Sequence, residues 1–143
     1  DQARAEAVAV ETGATVVGLD EIMTLEADIL APCALGAVLT EGSIAALKVA
    51  AVAGGANNQL ATAADADRIH ARGILYAPDY VINAGGIINV GLEYLGQGDA
   101  AAVNAKIDEI PHRLEAIWAE SAADDVPTAQ VADRQAQRLI GRG

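Results

Sequence analysis

Apolar runs alternate with stretches of helical spacing through most of the chain, and this alternation sets the expected elements. Residues 2–12 have strong helix propensity and stop at Gly13, suited to the left-handed turn that ends helices. Residues 15–17 predict a short strand, residues 20–23 a turn or a single helical turn, and residues 27–32 a second, buried strand that runs into Pro-Cys-Ala-Leu-Gly-Ala. Thr40 or Ser43 caps a helix carrying Ile44, Leu47 and Lys48; residues 49–53 form a third strand that enters Gly-Gly-Ala-Asn-Asn. Thr62 caps a helix to Arg72, Gly73 ends it, and a fourth strand begins at Ile74. Pro78 stops that strand, and Asn83, Gly85 and Gly86 stand where the next helix should start. Strands separated by short helical segments need crossovers, so the fold class is α/β with a mostly parallel, helix-covered sheet.

The remainder changes character. Val103, Ile107, Ile110, Leu114 and Ile117 recur at steps of three and four, the apolar stripe of a long helix. Pro111 lies inside that stripe and predicts a kink or break, and at Ser121 the stripe fades. Asp125-Val126-Pro127-Thr128 reads as a stop and a fresh start, opening a last helix in which Ala132, Ala136 and Leu139 share a face. Gly96-Gln97-Gly98-Asp99-Ala100-Ala101 spells G-x-G-x-x-A, but it follows a helix-like segment rather than a strand and is read as an interhelical turn.

Composition narrows the classes. Only 3% of residues are aromatic and Phe is absent, so the core must be Ala, Val, Ile and Leu, as suits helices on a parallel sheet. A formal charge of −11 argues against nucleic acid or an anionic membrane as a partner. The lone cysteine, Cys33, leaves no disulfide and no thiol pair for zinc, which fits a reducing cytosol and a cytoplasmic location. No apolar run reaches the roughly 18 residues of a membrane helix. The chain does not begin with Met, and upstream sequence is expected.

Three loops carry the functional signal. Residues 32–37, 54–58 and 83–86 each follow an apolar strand and consist of small residues plus a thiol or an amide. In a parallel sheet such loops fall on one edge and converge on one crevice, where glycine lets backbone approach a ligand and Asn offers a donor and an acceptor. Nothing there is a strong acid, base or metal cluster, so this half of a site binds and orients. Blander readings stand beside it. The asparagines also suit plain turn capping. Cys33 reads as a small buried packing residue, and His70, beside Arg68 and Arg72, as part of a solvated face. His112 is expected to be exposed, Asp65, Asp67, Asp124 and Asp125 to form a solvated acidic surface without metal, and Ile117 and Trp118 to be core.

The strings Ala-Pro-Cys-Ala-Leu-Gly-Ala (31–37), Gly-Gly-Ala-Asn-Asn-Gln-Leu (54–60) and Tyr-Ala-Pro-Asp-Tyr-Val-Ile-Asn-Ala-Gly-Gly-Ile-Ile-Asn-Val (76–90) resemble the Glu/Leu/Phe/Val amino acid dehydrogenase family, its leucine dehydrogenase branch most of all. The resemblance runs through nearly the whole chain. It implies a Rossmann-type domain, incomplete because its first strands and Gly-rich turn are missing, over residues 1–95, with residues 96–143 a helical segment packing on it. A catalytic domain bearing a lysine and an aspartate would precede it, so no catalytic residue is expected here and the chain alone should not deaminate amino acids.

The implied cofactor is NAD. Cys33, Ala34 and Leu35 would line its cleft near the nicotinamide, and Ala56, Asn57 and Asn58 would face the ribose and reacting carbon, with Asn58 touching substrate. Asn83 would hold the carboxamide, while Ile87 and Val90 would wall the pocket for the substrate side chain. Asp1 falls two positions after the family's adenosine-ribose acid and receives no role. Two branched aliphatics leave a second carboxylate uncompensated, which favours a branched-chain, leucine-like amino acid over glutamate. The expected reaction is reversible oxidative deamination to the 2-oxo acid and ammonia by a homo-oligomer. A phenylalanine or valine dehydrogenase and a non-catalytic nucleotide-binding module are the alternatives.

Overall fold

In the computed structural model, which describes residues 1–141, the sheet has three parallel strands, β1 (Ile29–Leu30), β2 (Ala51–Val52) and β3 (Leu75–Tyr76), in that spatial order. Leu30, Val52 and Tyr76 stand in one row across it, and Ile29, Ala51 and Leu75 in the next. The ladder runs past the strands: Glu26 bridges Lys48 before them, and Ala53 N donates to Leu30 O and Ala77 N to Val52 O after them. Residues 15–17 form no strand, contrary to expectation. Val16 is exposed and among the described residues no neighbouring strand pairs with this stretch, and extended backbone without a ladder partner keeps its hydrogen bonds with water.

α1 (Gln2–Thr12) precedes the first strand, and α2 (Glu41–Ala46) and α3 (Ala64–Ala71) lie between the strands. Asp1 caps α1 by accepting from Arg4 N, and Gly13 closes it at φ 75°, but no residue of α1 is buried. A capping box opens α2: Thr40 Oγ1 accepts from Ser43 N at 3.1 Å, and Ser43 Oγ accepts from Thr40 N at 2.8 Å. Leu39, Ile44 and Leu47 from this segment join Val52, Ile69, Ile74 and Tyr76 in the main core. Full burial of each large aliphatic contributes about 1.5–3 kcal/mol.

The start of α3 corrects the reading of Asp65. Its carboxylate is buried, 2% exposed, where Thr62 N and Oγ1 both donate to Oδ2 at 2.8 Å and Arg68 Nη1 donates to Oδ1 at 3.0 Å. Thr62 therefore donates to the first turn instead of accepting from it. Asp67, Asp124 and Asp125 are exposed, as expected.

After β3 the chain makes a single helical turn, α4 (Asp79–Ile82), then α5 (Gly85–Tyr94), α6 (Ala100–Ile107), α7 (Glu109–Asp124) and α8 (Thr128–Leu139). The predicted long helix breaks at Asp108, not at Pro111 itself. Proline lacks an N–H for the carbonyl four residues back, here Ile107, and its ring crowds that carbonyl, so the interruption falls on the N-terminal side. Val103, Ile110, Leu114 and Ile117 of the stripe are buried. Ser121 is more than a fading position: it is buried, and its Oγ donates to Val126 O at 2.5 Å across the α7–α8 turn. The last helix buries Thr128, Val131 and Ala132, while Ala136 and Leu139 of the expected face line an apolar hollow of about 450 Å³ with Val81, Ile88 and Ile117.

This helical segment packs back on the sheet layer. α7 meets α4, and α8 meets α3 and β3. Trp118 Nε1 donates to Tyr76 O at 3.2 Å, Tyr80 Oη donates to Asp133 Oδ1 at 2.6 Å, and Gln130 Nε2 donates to Asp67 at 2.9 Å. Among the described residues no helix is long and apolar enough to cross a membrane.

Candidate functional site

The three parallel strands deliver their following loops to one edge, and backbone hydrogen bonds lock the first two loops together. Ala56 N donates to Pro32 O at 2.9 Å, Ala37 N to Asn58 O at 2.6 Å, and Leu39 N to Gln59 O at 3.0 Å. Glycine is required at two crossings. A Cβ on buried Gly54 would lie 2.2 Å from Pro32 O, and one on Gly36 would lie 2.6 Å from Asn57 O. Ala37 and Asn58 themselves sit at positive φ, 56° and 52°, which keeps both loops tightly curled.

Two buried polar side chains support this rim from below, and neither was singled out from the sequence. Gln59 is fully buried: its Nε2 donates to Gly54 O at 2.7 Å and Ala56 O at 3.0 Å, spanning the second loop. Its backbone N donates at 2.6 Å to Oδ2 of Asp79, whose Oδ1 accepts from Tyr80 N at 2.6 Å. Asp79 thus ties the second loop to the first turn after β3. The Pro-Asp pair at a strand end was a usable signal for it, whereas Gln59 sits in the polar string Asn-Asn-Gln and looks like surface.

On the rim, Asn83 caps the C-terminal end of α4 and reaches the second loop. Its Nδ2 donates to Asn57 Oδ1 at 2.5 Å and to Gly55 O at 3.4 Å. The pair leaves Asn83 Oδ1 and Asn57 Nδ2 without a partner among the described residues, one acceptor beside one donor. Asn58 lies instead on a hollow of about 280 Å³ with Leu60, Tyr76, Pro78 and Tyr80.

Cys33 corrects its expectation as a buried packing residue: it is exposed, and its Sγ accepts from Gly55 N at 3.5 Å. The strand has already ended at Leu30, so Cys33 lies on the loop rather than inside the sheet. Ala34 and Leu35 follow it on the exposed loop, while Ala56 is buried. Ile87 and Val90 sit one turn apart on α5 and are both exposed, 71% and 59%.

The titratable groups outside the rim serve packing. His70 is not simply solvated, because its Nε2 lies 3.0 Å from Asp125 Oδ1 and joins α3 to the α7–α8 turn; His112 is exposed beside Glu115. Tyr76 and Tyr80 have phenol pKa values pushed well above 10, Tyr76 by burial and then the Asp79 charge, Tyr80 by burial and then its hydrogen bond to Asp133. Both stay neutral across the physiological range. Among the described residues no three His, Cys, Asp or Glu side chains converge to hold a metal.

A small parallel sheet whose successive loops meet at its carboxyl edge, lined by small residues and neutral amides, defines an α/β domain with the edge on which such folds build sites. Comparison with known proteins narrows that class. The family model for Glutamate/Leucine/Phenylalanine/Valine dehydrogenase matches residues 2–140. Leucine dehydrogenase from Geobacillus stearothermophilus is 45% identical over 130 residues, covering 91% of this chain and 35% of that protein. Phenylalanine dehydrogenase from Lysinibacillus sphaericus is 42% identical over 126 residues, 88% of this chain and 33% of that one. The crystal structure of L-tryptophan dehydrogenase from Nostoc punctiforme superposes with a TM-score of 0.93 at 42% identity, covering 99% of this chain and 42% of that chain. The chain belongs to the Glutamate/Leucine/Phenylalanine/Valine dehydrogenase family, and it spans about a third of the length of these curated relatives.

The family consists of dehydrogenases, generally dependent on a nicotinamide cofactor. The rim fits the amide end of such a group. A carboxamide presents one carbonyl acceptor and one NH₂ donor, and the Asn57–Asn83 pair offers the complementary donor and acceptor. Beside them a Cβ on Gly55 would meet nothing within 4 Å, so the backbone there is open to close approach.

Proposed function

We propose that this chain is the cofactor-facing part of an NAD-dependent L-amino acid dehydrogenase that acts on a branched-chain, leucine-like substrate. The observation that carries this reading is the Asn57–Asn83 amide pair at the meeting of two strand-following loops, within a chain of this family. The oxidation itself, loss of hydride from the amino acid's α-carbon, is chemistry that NAD supplies when bound; the imine so formed is hydrolysed to a 2-oxo acid and ammonia.

The chain's own residues orient. Asn83 and Asn57 would hold the carboxamide and so fix which ring face meets the substrate. Cys33, Ala34 and Leu35 would border the cleft and Ala56 would back the ribose, whereas Asn58, on the separate hollow beside Tyr80, receives no part in holding the nicotinamide. Ile87 and Val90 present branched aliphatic surface where a second carboxylate would need a cation, which disfavours glutamate. Proton transfer would fall to a lysine and an aspartate of a separate catalytic domain. The complete enzyme is proposed to be a cytosolic homo-oligomer.

Relatives named phenylalanine and L-tryptophan dehydrogenase favour a second reading, an aromatic substrate. A chimera separates the two. Residues 2–140 replace the matching stretch of the Geobacillus leucine dehydrogenase, and turnover is measured with each amino acid and with NAD or NADP. The proposal expects oxidation of leucine, isoleucine and valine with NAD, little with phenylalanine, and none by the 143 residues alone. Preference for phenylalanine or tryptophan would overturn the substrate, and leucine turnover by the isolated chain would overturn the division of labour.

A further inference from the structure

We infer that Asp79 is a positioning residue: its buried carboxylate sets the spacing between the second loop and α4, and thereby the Asn57–Asn83 pair. The inference deepens the proposed function and rests on its reading of the rim as a carboxamide holder. Asp79 is 8% exposed, and no Lys or Arg hydrogen-bonds to it among the described residues. Its two oxygens accept from two backbone N–H groups, Gln59 in the loop and Tyr80 in α4. A carboxylate is suited to that place because both of its oxygens accept, whereas an amide would turn an NH₂ against one of the two N–H donors.

The lever arms are short. Gln59 lies two residues from Asn57 and clamps the loop a second time through its side chain on Gly54 and Ala56. Asn83 accompanies Asp79 across one helical turn, with Asn83 N donating to Asp79 O at 2.9 Å. Tyr80, whose hydroxyl is held by Asp133 of α8, keeps that turn from shifting as a whole. Loosening the Asp79 carboxylate therefore frees the loop against α4 while leaving α7 and α8 in place.

The test is nuclear magnetic resonance on the 143-residue chain, with the side-chain amides of Asn57 and Asn83 assigned and nicotinamide mononucleotide as the probe. In the unaltered chain the Asn83 amide should be dispersed and slow to exchange, and it should shift on titration. Asp79→Asn should move it to the position of an exposed amide and weaken binding by about tenfold. Asp79→Glu, which keeps both acceptors, should recover part of each effect. Unchanged backbone resonances at Leu114, Ile117 and Val131 would certify the fold.

An Asp79→Asn chain with the Asn83 amide and the affinity of the unaltered one overturns the inference. Should that variant not fold, hydrogen exchange in the unaltered chain decides: slow exchange at Gln59 N supports the strut, and exchange as fast as at Asn57 overturns it. No response of the unaltered chain to the mononucleotide would instead remove the nicotinamide reading, and Asp79 would still be judged on the ligand-free Asn83 signal.

Discussion

Two adjacent glycines show how far single residues decide this rim. Gly54 is buried against Pro32 with no room for a Cβ, whereas a Cβ on Gly55 would stand in open space. Gly54→Ala should therefore cost about 1–3 kcal/mol, the scale of overpacking a tight contact. Gly55→Ala should stay within about 0.5 kcal/mol. Urea unfolding of both variants checks this, and equal losses would contradict the loop crossing. In the sequence the two glycines are indistinguishable, as are Asn57 and Asn58. Only the approach of Pro32, and the arrival of Asn83 from a distant turn, tells them apart. Asp65 and Cys33 were misread for the same reason: burial depends on what the rest of the chain places over them.

Elements were more legible than side chains, because capping and periodicity are local. Gly13, the Thr40 cap and the apolar stripe from Val103 each act within a few residues of themselves, and each appears in place. The strand at residues 15–17 failed because a strand needs a partner that no local pattern supplies. Ser121 is the converse case, a polar residue that ended a stripe yet became the fastener of the α7–α8 turn. Ser121→Ala leaves Val126 O without its hydroxyl donor and should cost about 1 kcal/mol. Hydrogen exchange should show the effect at Val126 and the first turn of α8, with α2 and α3 unaltered. An even loss of protection everywhere would mean that the turn is not a local fastener.

At the level of the entire chain, the helical segment and the sheet are joined through Tyr76 and Tyr80, and this gives stability an alkaline limit. Both phenols have folded-state pKa values raised above the ordinary value near 10, so the unfolded chain releases their protons first. Their contribution is fully present below pH 10 and is lost as pH climbs above it. The urea midpoint should fall from about pH 10 upward, and Tyr80→Phe should flatten part of that fall. A midpoint that rises with alkali would contradict the buried phenols. The fold class was legible because alternation forces a parallel sheet, and with it the edge on which a site must lie. Which amide meets which was not.

The most direct test of that edge is a paired titration of the labelled chain with nicotinamide mononucleotide and with its acid analogue, in which a carboxylate replaces the carboxamide. Donor-and-acceptor recognition by Asn57 and Asn83 predicts that the amide ligand shifts both side-chain amides, and that the acid, which cannot donate, shifts them far less. Equal response to the two ligands, or shifts confined to the Asn58 hollow or to the groove beside Ile88 and Ile117, would contradict it.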